Sequence, residues 1–166
     1  MKTRKLTLLA MYTTIALTIF VAESALPPLL PIPGVKLGLA NIVTLWVLLS
    51  GNWKDALLVL LLRIILGSIF AGQMVSFAYS LSGGLLCLLV MVLLYGLLGE
   101  KQLVTISIVG AVFHNIGQLL IAWVILQSLS VFTYLPILLV SGIAAGAFTG
   151  MCTKLTYKRL KKLLPK

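Results

Sequence analysis

Ala25-Leu26-Pro27-Pro28-Leu29-Leu30-Pro31-Ile32-Pro33-Gly34-Val35-Lys36-Leu37-Gly38-Leu39-Ala40-Asn41 is the one long interruption in an otherwise almost continuously apolar sequence. Pro27, Pro28, Pro31 and Pro33 each lock φ near about −65° and remove a backbone donor. The stretch therefore reads as an extended, stiff strap, neither helix nor limp linker. It divides a first apolar run from those that follow, and it carries a lysine that the charge pattern elsewhere does not lead one to expect.

Composition sets the class. Of 166 residues 61% are hydrophobic and 10% charged, with a mean hydropathy of +1.17, whereas a soluble domain is about 25% charged. The chain reads as an all-α integral membrane protein. A net charge of +10 raises the question of nucleic acid. Except for Lys36 and Arg63, however, every Lys and Arg falls at the two ends or in short connections, as in Lys2, Arg4, Lys5, Lys54, Lys101 and Lys154 to Lys166. That is positive-inside patterning, with anionic lipid as the partner and no nucleic-acid face. Cys87 and Cys152 lie in apolar runs with no second ligand nearby. They read as packing residues, and the sequence calls for no metal and no cofactor.

Six spans are expected, at about 6–25, 37–50, 56–72, 77–98, 103–126 and 134–155, in one transmembrane domain covering 1–166. Residues 26–36 form the proline-rich outer loop and 156–166 a basic cytoplasmic tail. The first run exceeds the ~7–15 residues of a signal core and is read as a retained helix. The second covers only roughly 20 Å of a ~30 Å hydrocarbon core, so it is tucked behind its neighbours or starts below the outer surface. An even number of spans puts both basic termini, Lys54 and Lys101 on the cytoplasmic side of a plasma membrane.

The two exceptions to the charge rule are the informative residues. Arg63 falls at the middle of the third run, where an arginine costs about 2.5–3.5 kcal/mol to insert unless it faces a partner or a watery cavity. It is either a structural pin, bonded to Glu23 or to carbonyls of a broken helix, or an anion site awaiting substrate. Gly67, one turn on, allows close approach on the same face. Lys36 lies at the outer end of the second run, either snorkelling to the headgroups or facing a ligand together with the N–H groups of the helix start. Gly34, Gly38 and Asn41 share a face if that helix begins by Gly34.

His114, Asn115 and Gln118 make a polar stripe in an apolar helix, serving either helix-to-helix hydrogen bonds or a cavity wall. Gln73, Tyr79 and Trp123 fall at nearby depths. Gly142, Gly146 and Gly150 form two overlapping GxxxG steps, read as packing within the molecule. Ala10 and Thr14, with Thr18 and Ala22, give the first helix a small-residue face that another subunit could use.

Pro33-Gly34-Val35-Lys36-Leu37-Gly38-Leu39-Ala40-Asn41, Arg63-Ile64-Ile65-Leu66-Gly67 and Phe113-His114-Asn115-Ile116-Gly117-Gln118 together resemble the Gx transporter family, also labelled heptaprenyl diphosphate synthase component I. That family is similar to the substrate-binding S components of energy-coupling factor (ECF) transporters. The resemblance implies a six-helix bundle, a first outer loop acting as gate, and a small-residue motif in helix one that docks a transmembrane coupling subunit driven by ATPases. At the docking motif this chain carries Thr14 where S components usually carry alanine. Lys36, Asn41, Arg63, His114, Asn115 and Gln118 are the expected substrate-binding residues, and Pro27, Pro28, Pro31, Pro33 and Gly34 the expected gate.

The synthase label meets a chemical objection. Prenyl diphosphate synthases resemble one another in paired aspartate-rich motifs that hold Mg²⁺, and hard cations want several carboxylate oxygens. This chain has one aspartate, Asp55, and two distant glutamates. No enzyme activity is expected of it, and without a GxxxxGK[ST] loop any ATP hydrolysis belongs to a partner. Two functions of different class remain: a transport subunit capturing a small anionic or amphipathic molecule from outside, or a non-catalytic accessory protein in isoprenoid or quinone metabolism or quinone-linked extracellular electron transfer.

Overall fold

Within a bilayer a backbone must satisfy its own N–H and C=O groups, and a chain of apolar runs does so as helices. A computed structural model describes residues 2–25, 38–71 and 74–163. Among them are six α-helices: α1 (Lys2–Ser24), α2 (Asn41–Ser50), α3 (Trp53–Ala71), α4 (Met74–Leu98), α5 (Leu103–Leu126) and α6 (Leu135–Leu163). Short 3₁₀ turns, Glu100–Gln102 and Leu129–Tyr134, join α4 to α5 and α5 to α6. Helices α1, α4, α5 and α6 are long and apolar enough to cross a membrane. The protein is a multi-pass, all-α membrane protein.

The element bounds depart from the sequence reading at five places, the first being α1, which begins at Lys2 rather than 6. Helix α2 starts at Asn41 rather than 37, because Gly38 adopts φ +77°, a left-handed conformation that stops a helix from running through it. Gly38 and Asn41 therefore do not share a helical face. Helices α3 and α4 each begin about a turn earlier than expected, at Trp53 and Met74. The span expected from 134 begins at Leu135 and continues to Leu163, so most of the basic segment from 156 onward is helix rather than tail.

Packing follows the apolar stripes. On α3 the inward residues Ala56, Val59, Leu60, Arg63, Ile64 and Gly67 recur at helical spacing while Leu58, Leu62, Ile65, Ile69 and Phe70 face outward. Helix α2 is buried around most of its circumference and touches α1, α3, α4 and α6. Helix α5 is held between α4 and α6. Gly142, Gly146 and Gly150 of α6 all meet α5: a Cβ on Gly146 would lie 2.6 Å from Ile108 Cα, and one on Gly150 2.8 Å from Val104 Cα. Small residues let these two backbones approach to where dispersion contacts are densest.

One end of the bundle gathers the basic residues. Lys5 Nζ lies 2.8 Å from Asp55 Oδ1, joining the starts of α1 and α3. Tyr157 Oη donates to Glu100 at 2.9 Å and its ring meets Trp46 edge-on, so α6 is braced against the α4–α5 turn and α2. The candidate site lies deeper, toward the other end.

Candidate functional site in the bundle interior

Arg63 stands in the middle of the inward stripe of α3 and is 2% exposed. Its Nη2 donates to Asn41 Oδ1 at 2.9 Å. Asn41 is the first residue of α2, and that helix is only ten residues long, roughly 15 Å. A half-length helix thus delivers an amide side chain to the depth of the arginine.

The start of α2 is held by Glu23, the last residue but one of α1. Its Oε1 accepts from Gly38 N–H at 2.7 Å and its Oε2 from Leu39 N–H at 3.1 Å. The carboxylate is buried, and it lies close enough to Arg63 to act on it electrostatically. The anion-seeking amides before α2 are therefore already occupied by an acidic side chain of the protein itself. The structural-pin reading bonded Arg63 to Glu23 or to carbonyls of a broken helix; the guanidinium instead donates to the Asn41 side chain, and the carboxylate holds the backbone that positions Asn41.

From α5, His114 and Gln118 face the same junction. Gln118 Nε2 lies 3.1 Å from His114 Nε2. Which of the two donates follows the imidazole tautomer and the orientation of the amide. The imidazole is wedged between two glycines. A Cβ on Gly38 would come within 2.8 Å of His114 Nε2 and 2.9 Å of Asn41 Nδ2, and one on Gly83 of α4 within 2.9 Å of His114 Nδ1. Arg63, Asn41, His114, Gln118 and Glu23 thus form one cluster drawn from α1, α2, α3 and α5.

Asn115 does not join it. One residue on from His114, about 100° around the helix, it faces α6, where Nδ2 donates to Leu138 O at 2.7 Å and abuts Gly142. Gly67 is filled by the ring of Phe20 from α1, which a Cβ would approach to 2.6 Å. Tyr79 is buried in a separate apolar cluster with Leu119 and Ala122, and Trp123 is half-exposed against Phe132. Ala10, Thr14 and Thr18 lie on an exposed face of α1. Lys36, Gln73 and the gate residues Pro27, Pro28, Pro31, Pro33 and Gly34 lie outside the described residues.

The cluster leaves hydrogen-bonding capacity unused. Asn41 Nδ2, Thr44 Oγ1, Arg63 Nε, His114 Nδ1 and Gln118 Oε1 are buried with no hydrogen-bond partner among the described residues. Each such atom costs about 1–3 kcal/mol. Thr44, three residues after Asn41 on α2, was not anticipated; nor was Glu23 as the clamp on the start of α2. The signal for Thr44 was its i, i+3 spacing from Asn41 on an otherwise apolar helix. The other two carboxylates sit at the basic end, Asp55 on Lys5 and Glu100 on Tyr157.

No curated protein and no solved structure matches the chain. A family model described as heptaprenyl diphosphate synthase component I matches residues 12–156, which takes in α2 to α5 complete and most of α1 and α6. With nearly its whole length matched, the chain belongs to the heptaprenyl diphosphate synthase component I family.

Proposed function

We propose that this chain is the membrane-embedded, non-catalytic substrate-binding subunit of an ECF-type transporter of the Gx kind, and that it captures a small amphipathic molecule at Asn41, Arg63, His114 and Gln118. The observation that carries this reading is the set of unpaired polar atoms around a buried arginine in an otherwise apolar bundle. A guanidinium serving packing alone would be closed by its neighbours, because leaving buried donors and acceptors open is unfavourable. In this reading both termini lie in the cytoplasm, the proline-rich strap with Lys36 gates the outer side, and Asn115 acts on the site through its hold on α6. The exposed Ala10 and Thr14 face of α1 meets a coupling subunit, whose ATPases drive release.

The family description favours a second reading, an accessory protein that binds an isoprenoid or quinone intermediate beside another synthase component without moving it across the membrane. One preparation tests both. The purified protein is analysed by mass spectrometry for co-purifying small molecules, and the compound is then assayed for uptake into vesicles with candidate ATPases. A compound retained by wild type, lost from folded Asn41→Ala and Gln118→Ala variants and taken up only with ATP supports transport. Binding without uptake supports the accessory role, and a compound equally retained by both variants removes the site.

A further inference from the structure

Helix α4 turns one arc of its surface between its two neighbours. Gly84 meets Leu60 and Ile64 of α3, while Ser82 Oγ donates to Gly117 O of α5 at 2.9 Å and Tyr79 clusters with Leu119 and Ala122. Ser76, Ser80 and Gly83, at i, i+4 and i+7, lie on the arc between those contacts, and all three are buried. Gly83 is the residue that meets His114, so this arc looks into the cluster around Arg63.

Ser76 is 1% exposed, and its Oγ has no hydrogen-bond partner among the described residues. Other helical serines close on a carbonyl: Ser50 on Trp46 O at 2.9 Å, Ser68 on Ile65 O at 2.8 Å, and Ser82 across to α5. Ser76 has no such recourse on its own helix. It is the third residue of α4, so no carbonyl of that helix lies three or four positions before it. A hydroxyl shut away from water and left open is unfavourable, and a partner arriving from outside the bundle relieves it. Seven residues separate Ser76 from Gly83, roughly 10 Å along the axis and away from the basic end.

We propose that Ser76 is a further ligand-binding residue, the outer of two polar subsites on one interior arc, and that the ligand is an elongated molecule with a hydrogen-bonding group at each end, roughly 10 Å apart. The inner end sits at Asn41 and Arg63, whose Nδ2 and Nε are also unpaired among the described residues. This rests on the binding role proposed above and gives its ligand a length. A molecule with a single polar end leaves Ser76 unmet, whereas a bifunctional one satisfies both subsites.

The probes are octanediol, with a hydroxyl at each end of the chain, and octanol, with one; a hydroxyl both donates and accepts and so suits either subsite. Binding to the full chain in nanodiscs is measured calorimetrically, with empty nanodiscs subtracted, and thermal midpoints are recorded without ligand. Ser76→Ala should weaken octanediol about tenfold and leave octanol, held by the inner subsite alone, within about twofold. Ser76→Thr, which keeps the hydroxyl, should retain octanediol, and Asn41→Ala should weaken both alcohols. Without ligand, Ser76→Ala should melt no lower than wild type, because it removes an unmet group, whereas loss of a structural hydroxyl lowers the midpoint. Octanediol weakened by Asn41→Ala but untouched by Ser76→Ala overturns the outer subsite while leaving the binding role standing. Equal losses of octanediol and octanol in Ser76→Ala, or a lowered midpoint, would mark Ser76 as structural and overturn the subsite likewise. Octanediol binding that neither Ser76→Ala nor Asn41→Ala weakens, or no binding at all, overturns the subsite and the binding role together.

Discussion

Two buried polar clusters lie in this bundle and close differently. Between α5 and α6, Ser107 Oγ and Thr149 Oγ1 are 2.8 Å apart, Thr149 donates on to Gly146 O at 3.2 Å, and Thr153 donates to Thr149 O at 2.8 Å. Every hydroxyl there has a partner. Where α2, α3 and α5 meet, a guanidinium, two amides and an imidazole share two side-chain hydrogen bonds and leave atoms over. Short hydroxyls can fold back on their own helix and close a helix contact without outside help. Planar groups with several donors and acceptors cannot all be satisfied by so few neighbours, and that excess is what a ligand can use.

The comparison can be broken by substitution. Arg63→Ala should have the largest effect, a loss of about 2–5 kcal/mol in unfolding free energy, because it empties a large buried side-chain space and takes the donor from Asn41 Oδ1; a loss below about 1 kcal/mol would show that the guanidinium contributes little to the fold. Gly146→Leu comes next, with about 1–3 kcal/mol from overpacking against Ile108, read as a lower thermal midpoint with little monodisperse protein. Thr149→Val should cost about 1 kcal/mol, and the double variant Ser107→Ala with Thr149→Val should recover most of it, since removing both partners leaves no orphan. A double variant worse than the single would mean that this cluster does more than pack. Smallest is Thr14→Leu on the exposed face of α1, within about 0.5 kcal/mol of wild type. If α1 docks a coupling subunit, the same variant should lose that subunit in co-purification while keeping its own stability.

Much of the fold could be read from the sequence because apolar length and charge placement dictate helices in a membrane, and the polar turns at Gly51 to Asp55 and Gly99 to Gln102 mark their ends. The start of α2 could not be read so closely: whether Gly38 continues a helix or turns out of it depends on Glu23, which reaches it from fifteen positions away. The site was half legible. Arg63 announced itself as a charge in the middle of an apolar stripe, and His114 with Gln118 as an i, i+4 pair. Asn115 was grouped with them by proximity in sequence, although the step of about 100° between adjacent helical residues sends it to the α6 side. Glu23 was visible as the acidic residue nearest in depth to Arg63, yet its bonds to backbone amides carry no sequence signature.

Helix α6 has 29 residues, roughly 43 Å, against a hydrocarbon thickness of ~30 Å. Something over two turns must therefore stand clear of the apolar layer, and the exposed Lys154, Lys158 and Arg159 lie on them. Because Tyr157 is tied to Glu100 and seated on Trp46, this projecting length is part of the rigid bundle. It works as a float line: the ring of charge fixes how deep the whole bundle rides, and with it the depth at which the arginine waits.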